Sequence, residues 1–250
     1  MSRKFAVVYE AKADFQIATD LADRVLCEAV EWLDEHLVIH QRDWIHKSPE
    51  GDLLAWSRID DLARNAGVRA RGHFDGEPAE PDARAARRAI QYLRFIFDDL
   101  EAILLIRDQD DVWERKRGLE QAQLENHRGL PIVVGLAIVE RESWIICGLE
   151  PLDEVETARA DVERQLLGFH PMYRSHELTA CKDDHAKRSP KRVLHVLTAG
   201  DLDRQRHCWQ QTSLATLRER GTENGLTAYL DEVRTKLAPL IGHIPPQQSQ

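Results

Sequence analysis

Three acidic residues stand where a parallel sheet places its chemistry. Glu10 follows the apolar run Phe5–Tyr9 (FAVVY), and Asp108 and Asp110 follow Ala102–Ile106 (AILLI) in the stretch IRDQDD. Both runs read as strands buried on two faces, as in a parallel sheet, and ligands of open parallel sheets gather beyond the carboxyl ends of the strands. Were the two runs neighbours, their ends would lie ~4.8 Å apart. The single residue between Asp108 and Asp110 sends both side chains to the same side of an extended segment. Convergent carboxylates raise one another's pKa and call for a cation, and oxygen-only donors suit Mg²⁺ or Mn²⁺. The chemistry implied is metal-assisted phosphoryl transfer: one ion polarises the phosphate, and a second roughly 4 Å away activates water and steadies the leaving oxygen. Asp111, just before a charged segment, reads as a helix cap instead.

The elements that must position these residues alternate as in an α/β domain with a mainly parallel sheet. After the first strand, Ile17, Leu21, Val25 and Ala29 recur on one helical face. Leu37–His40 (LVIH) is expected as a second strand, with an amphipathic piece around Ile59 and a Gly, Pro and Asp-rich loop closing residues 48–82. A helix through Ile90, Leu93 and Phe97 leads into the 102–106 strand. A charged helix is expected from Trp113 to about Asn126, and residues 131–139 (PIVVGLAIV) form the next strand. The expected organisation is an α/β domain over 1–150, a mostly helical extension over 151–243 and a disordered tail over 244–250.

Composition narrows the class. The chain has 250 residues, with 34 Lys and Arg against 43 Asp and Glu, a formal charge of −9. That excludes a polybasic nucleic-acid coat but not an enzyme that concentrates carboxylates at its site. The four cysteines are widely spaced, as in a reduced, cytoplasmic protein. There is neither a signal-peptide core nor a membrane span, so a soluble protein is expected. No glycine-rich phosphate loop occurs, so any ATP requirement would lie in a partner chain. No G-x-S-x-G elbow occurs either. Cys181, His185, His207 and Cys208 fit zinc spacings badly.

Lys187, Arg188, Lys191 and Arg192 surround Ser189-Pro190 and are candidates for clamping nucleic-acid phosphates, with a solvated helix start as the alternative. Arg84, Arg87 and Arg88 form a second candidate patch. Arg107 adjoins the acidic motif and is expected to form an ion pair.

The segment Glu10-Ala11-Lys12-Ala13-Asp14, followed by an apolar strand closing on Asp108-Gln109-Asp110, resembles the Toprim domain of topoisomerases, primases and overcoming-lysogenization-defect nucleases. It most resembles small stand-alone Toprim-like proteins of bacterial genomes, proposed as antiviral defence nucleases beside an ATPase. The resemblance covers about residues 4–145. It implies a Rossmann-like sheet that binds Mg²⁺ through Glu10, Asp108 and Asp110, with Glu10 as general acid or base and Asp14 as an assisting acid. Glu142, in Glu142-Ser143-Trp144, resembles a third-strand acid of related families; the alternative is a solvated strand exit with Trp144 in the core. Ala11 departs from the family's glycine, and the long separation of Glu10 from Asp108 implies an insertion around 41–82.

The leading expectation is a Mg²⁺-dependent nuclease. The alternatives are a non-catalytic subunit docking an ATPase or nucleic acid, and a small-phosphate phosphohydrolase. A homo-oligomer is compatible with each.

Overall fold

The computed structural model describes residues 2–70, 72–74, 76–126 and 129–243. The expected tail, 244–250, lies outside them. In chain order the elements of the α/β part are β1 (Arg3–Val8), α1 (Lys12–Ala29), α2 (Glu35–Gln41), β2 (Arg42–Ile45), α3 (Trp56–Asn65), β3 (His73–Phe74), β4 (Glu77–Pro78), α4 (Ala83–Ile96), β5 (Leu100–Asp108), α5 (Arg115–Glu125) and β6 (Ile132–Ala137). Helices follow: α6 (Glu142–Cys147), α7 (Glu154–Leu167), α8 (Pro190–Thr198), α9 (Leu202–Gln210), α10 (Leu214–Arg220), α11 (Leu226–Lys236) and α12 (Ala238–Ile241). The class is α/β, with a parallel sheet in the order β2-β1-β5-β6 flanked by helices. No helix among the described residues is long and apolar enough to cross a membrane.

The sheet follows from its composition. Phe5 to Val8 and Ala102 to Leu105 are wholly buried, as strands covered on both faces must be. β1 and β5 are hydrogen-bonded parallel neighbours, with Val7 opposite Leu104 and Val8 opposite Leu105. On α1 the stripe Ile17, Leu21, Val25 and Ala29 is buried as its spacing requires.

Two local expectations are corrected. Leu37–His40 is not a strand but lies in α2, because the Asp34 carboxylate accepts from the His36 and Leu37 N–H groups (2.8 Å each) and starts a helix. The second strand comes directly after it, at Arg42–Ile45. Asp111 is not a cap: α5 starts at Arg115 behind Glu114, which makes no side-chain cap bond, and Trp113 stands outside the helix, 72% exposed.

The chain divides into two compact units. The first holds residues 2–107, 112–135 and 229–243 among those described, and the second 108–111 and 136–228. The first unit thus recruits the chain's end: the Tyr229 hydroxyl, wholly buried, donates to the Ala18 carbonyl of α1 (2.7 Å). In the second, the Arg204 guanidinium of α9 donates from Nε and Nη2 to the two carboxylate oxygens of Glu156 on α7 (2.7 and 2.8 Å).

Candidate functional site

In the second unit the exits of β5 and β6 are built as a pair. The Gln109 N–H donates to the Ala137 carbonyl (2.8 Å) and the Asp110 N–H to that of Val139 (2.9 Å), which carries the parallel pairing beyond the strand ends. Both Asp110 (φ +50°) and Val139 (φ +73°) lie in the left-handed region. Aspartate tolerates that conformation; a β-branched valine does not without strain. Strain of this kind persists where surroundings impose it and clusters at functional sites.

The surroundings here are specific. The Ile138 N–H and the Trp144 indole both donate to the Asn224 carbonyl (2.9 Å each). The wholly buried Asn224 amide donates to the Ser143 carbonyl and the Ser175 hydroxyl (3.0 Å each), and Ser143 Oγ donates to the Ile138 carbonyl (2.8 Å). Gly225 (φ +86°) completes the clamp: a Cβ there would meet the Leu136 carbonyl oxygen at 2.2 Å.

Four carboxylates belong to this pair of exits. Asp108 Oδ1 accepts the Arg141 N–H (2.8 Å), and the Arg141 guanidinium meets Glu142 at the start of α6 (2.5 Å). Glu140 is buried and receives Lys191 Nζ at 3.2 Å, while Lys191 also reaches Asp184 (3.5 Å). Burial pushes the Glu140 carboxyl above its usual value; Lys191 pulls it back, and the charges of Glu142 and Asp110 push it up again. Burial alone would lower the Lys191 ammonium, but Glu140 first, then Glu142 and Asp184, hold it above its usual value. Asp110, Glu140 and Glu142 therefore share one electrostatic field with Lys191 inside it.

The first unit holds Glu10 and Asp14. Asp14, buried at N3 of α1, accepts the Ala11 N–H (2.6 Å), a local helix cap. Glu10 Oε1 lies 3.1 Å from Arg107 Nε and 4.0 Å from Arg115 Nη1. The same two arginines hold Asp82, whose Oδ2 is 3.3 Å from Arg107 Nε and 2.5 Å from Arg115 Nε. The ion pair expected of Arg107 is present.

The basic segment is divided in its roles. Arg192 lies in a fork on the buried Glu163 (2.8 and 2.6 Å), and Ser189 caps α8 with Pro190 in its first turn. The Arg188 guanidinium lies 5.6 Å from the Phe169 ring centroid, and Lys187 is exposed. In the other candidate patch, Arg87 is buried on Glu125, and Arg88 meets Asp60 (2.5 Å).

Asn224, Asp82 and Arg115 went unread in the sequence. Asp82, at the end of a Gly, Pro and Asp-rich loop directly before a helix, has the look of a cap. It stands at the N-cap of α4 with φ +65° and makes no side-chain cap bond.

Among the described residues no group of three or more His, Cys, Asp or Glu is placed to hold a metal ion. The donor chemistry at the β5 and β6 exits nevertheless suits a hard cation: the side chains are carboxylates, and their mutual repulsion is what such a cation relieves. Here that repulsion meets Lys191 and Arg141. No protein-family model, no curated protein and no solved structure matches the chain.

Proposed function

We propose that this protein is a Mg²⁺-dependent phosphodiesterase acting on nucleic acid, with its chemistry at the exits of β5 and β6. The observation that carries the reading is the strained, interlocked pair Asp110 and Val139 amid the acidic residues of two parallel strand ends. The Toprim resemblance of Asp108-Gln109-Asp110 agrees with it. Asp108 and Asp110, with Glu142, are the residues that would hold Mg²⁺; the ion would supply a polarised phosphate and a more acidic water. Lys191, already on Glu140, would give a substrate phosphate its counter-charge. Glu140, its carboxyl raised by burial and like charge, would hold or release a proton nearer neutral pH than an ordinary glutamate.

The test is cleavage of labelled single- and double-stranded DNA and RNA with Mg²⁺ or Mn²⁺ against EDTA, with Asp108→Asn and Asp110→Asn in parallel. Metal-dependent cleavage lost in both variants supports the reading. Cleavage that persists in either variant, or in EDTA, sinks it.

A binding-only subunit is the second reading, and two observations favour it. Glu140 and Glu142 already meet Lys191 and Arg141, and α7 turns Val155 and Val162 outward, each more than half exposed, a face of the kind a partner such as an ATPase would cover. On that reading oligonucleotide or partner is retained in EDTA, no lane shows cleavage, and Asp108→Asn changes nothing.

A further inference from the structure

We propose that Arg107 and Arg115 form a seat for a phosphodiester anion, and that the Asp82 carboxylate fills it as an internal stand-in. That the anion belongs to nucleic acid rests on the function proposed above; the seat itself rests on geometry within the first unit.

Arginine pairs that converge on one anion suit carboxylate and phosphate alike, because the guanidinium fork matches two oxygens of either. Arg107 is fixed before any ligand arrives. Its guanidinium lies 4.9 Å from the Trp56 ring centroid, and the Trp56 indole is anchored by donating to the Ile106 carbonyl (2.7 Å). Arg115 is buried, with Asp82 at 2.5 Å. Glu10 contacts the same two guanidinium groups from its own side. A phosphodiester carries one negative charge, as Asp82 does.

Asp82 has the marks of a replaceable occupant. It is a non-glycine residue at φ +65°, and at the N-cap of a fourteen-residue helix it makes no cap bond. Its buried Oδ2 meets both arginines as charge contacts without an aligned hydrogen bond. It also borders an open cleft of about 560 Å³, which Asp60, Glu80, Arg84 and Arg88 line with it. The backbone around it is tied down: Gly118 of α5 lies so close that a Cβ there would meet the Pro81 carbonyl oxygen at 1.8 Å. Displacement therefore asks the side chain to rotate and leaves the loop where it is.

The experiment is fluorescence anisotropy of a short labelled oligodeoxythymidylate in EDTA, so that no cleavage intervenes. It compares the wild type, Asp82→Asn, and Asp82→Asn combined with Arg115→Gln or Arg107→Gln. Asparagine keeps the left-handed backbone and removes the competing charge. Asp82→Asn is expected to bind about tenfold tighter, the worth of one charge-assisted hydrogen bond. Either arginine change should cancel that gain and reduce the slope of log affinity against log salt by about 0.7. Inorganic phosphate should displace the oligonucleotide more effectively from Asp82→Asn than from the wild type. Circular dichroism confirms folding, and Arg115→Lys, which keeps the charge but loses the fork, replaces any glutamine variant that fails to fold. An unchanged affinity in Asp82→Asn overturns the proposal, as does a gain that survives loss of either arginine or that phosphate cannot compete away. Gain without nuclease activity would keep the seat and remove the catalysis, and nuclease activity without gain would do the reverse.

Discussion

Asp110 combines two demands on one side chain, a left-handed backbone (φ +50°) and a carboxylate beside Glu140. They separate by substitution. Asparagine accepts the backbone conformation almost as aspartate does, whereas alanine meets the Cβ clash that costs roughly 1–2 kcal/mol. Asp110→Asn should therefore stay within about 0.5 kcal/mol of the wild type in urea denaturation, and Asp110→Ala should lose about 1 kcal/mol or more. Because the Asp110 charge helps raise the Glu140 carboxyl, Asp110→Asn should also lower the Glu140 pKa, read by NMR titration of the side-chain carbon; an unmoved titration would refute the shared field. The sequence displayed the carboxylates of this region but not their partners. Asp14, three residues from Ala11, had a local explanation as a cap. Glu10 meets arginines at positions 107 and 115, a pairing only the fold creates. Glu140 and Lys191, fifty-one positions apart, are hidden in the same way.

At the scale of elements, apolar period was legible and short signals were not. The stripe on α1 and the strand at Ala102–Ile106 needed no tertiary context, because their burial follows from composition. The four-residue run Leu37–His40 fits either period, and Asp34 decided it for a helix. What joins elements is less visible still, as α7 and α9 illustrate. Glu156, at 8% exposure, holds Arg204, and that hydrogen-bonded guanidinium keeps its carboxyl below the ordinary value of 4.5. A lowered native pKa means that the unfolded chain binds the proton more readily. The pair's stabilisation is therefore full above pH 4.5 and is lost as pH falls through the lowered native value. Glu156→Gln should cost on the order of 3 kcal/mol near neutrality, since it leaves a buried guanidinium underpaired, and should flatten the acid limb of stability against pH. Denaturant midpoints at several pH values check both. Gly118→Ala is a second test between elements. With the Pro81 carbonyl oxygen 1.8 Å from the new Cβ, either α5 or the loop before α4 must shift. A loss of about 1–3 kcal/mol is expected where a glycine inside a helix would otherwise gain stability from alanine.

For the whole molecule, the decisive feature is that the chain's end completes the unit its beginning started. β6 is an edge strand of the sheet, and an uncovered edge offers its N–H and C=O groups to any other chain. Here α11 answers them with side chains: Glu232 accepts the Val134 N–H (2.7 Å) and Lys236 donates to the Ile132 carbonyl (3.0 Å). Tyr229 from the same helix lies over Gly135, where a Cβ would meet its ring at 2.9 Å, and its hydroxyl reaches the Ala18 carbonyl. Nothing in residues 131–139 announces that partner, for an edge strand and a central one share the same apolar run. A chain ended after Ala228 would keep every strand and lose this cover together with the wholly buried Tyr229, Leu230, Val233 and Leu237. At roughly 1.5–3 kcal/mol for each large apolar side chain, that loss matches the net stability of an ordinary domain. The truncated chain should therefore fail to give a cooperative urea transition and should self-associate on gel filtration, whereas Glu232→Ala in the full chain, which leaves the Val134 N–H without its acceptor, should cost only about 1–3 kcal/mol. A truncated chain that stays monomeric and unfolds cooperatively would show that the sheet sustains itself without α11, and the edge cover would then be an accessory of the fold instead of a condition for it.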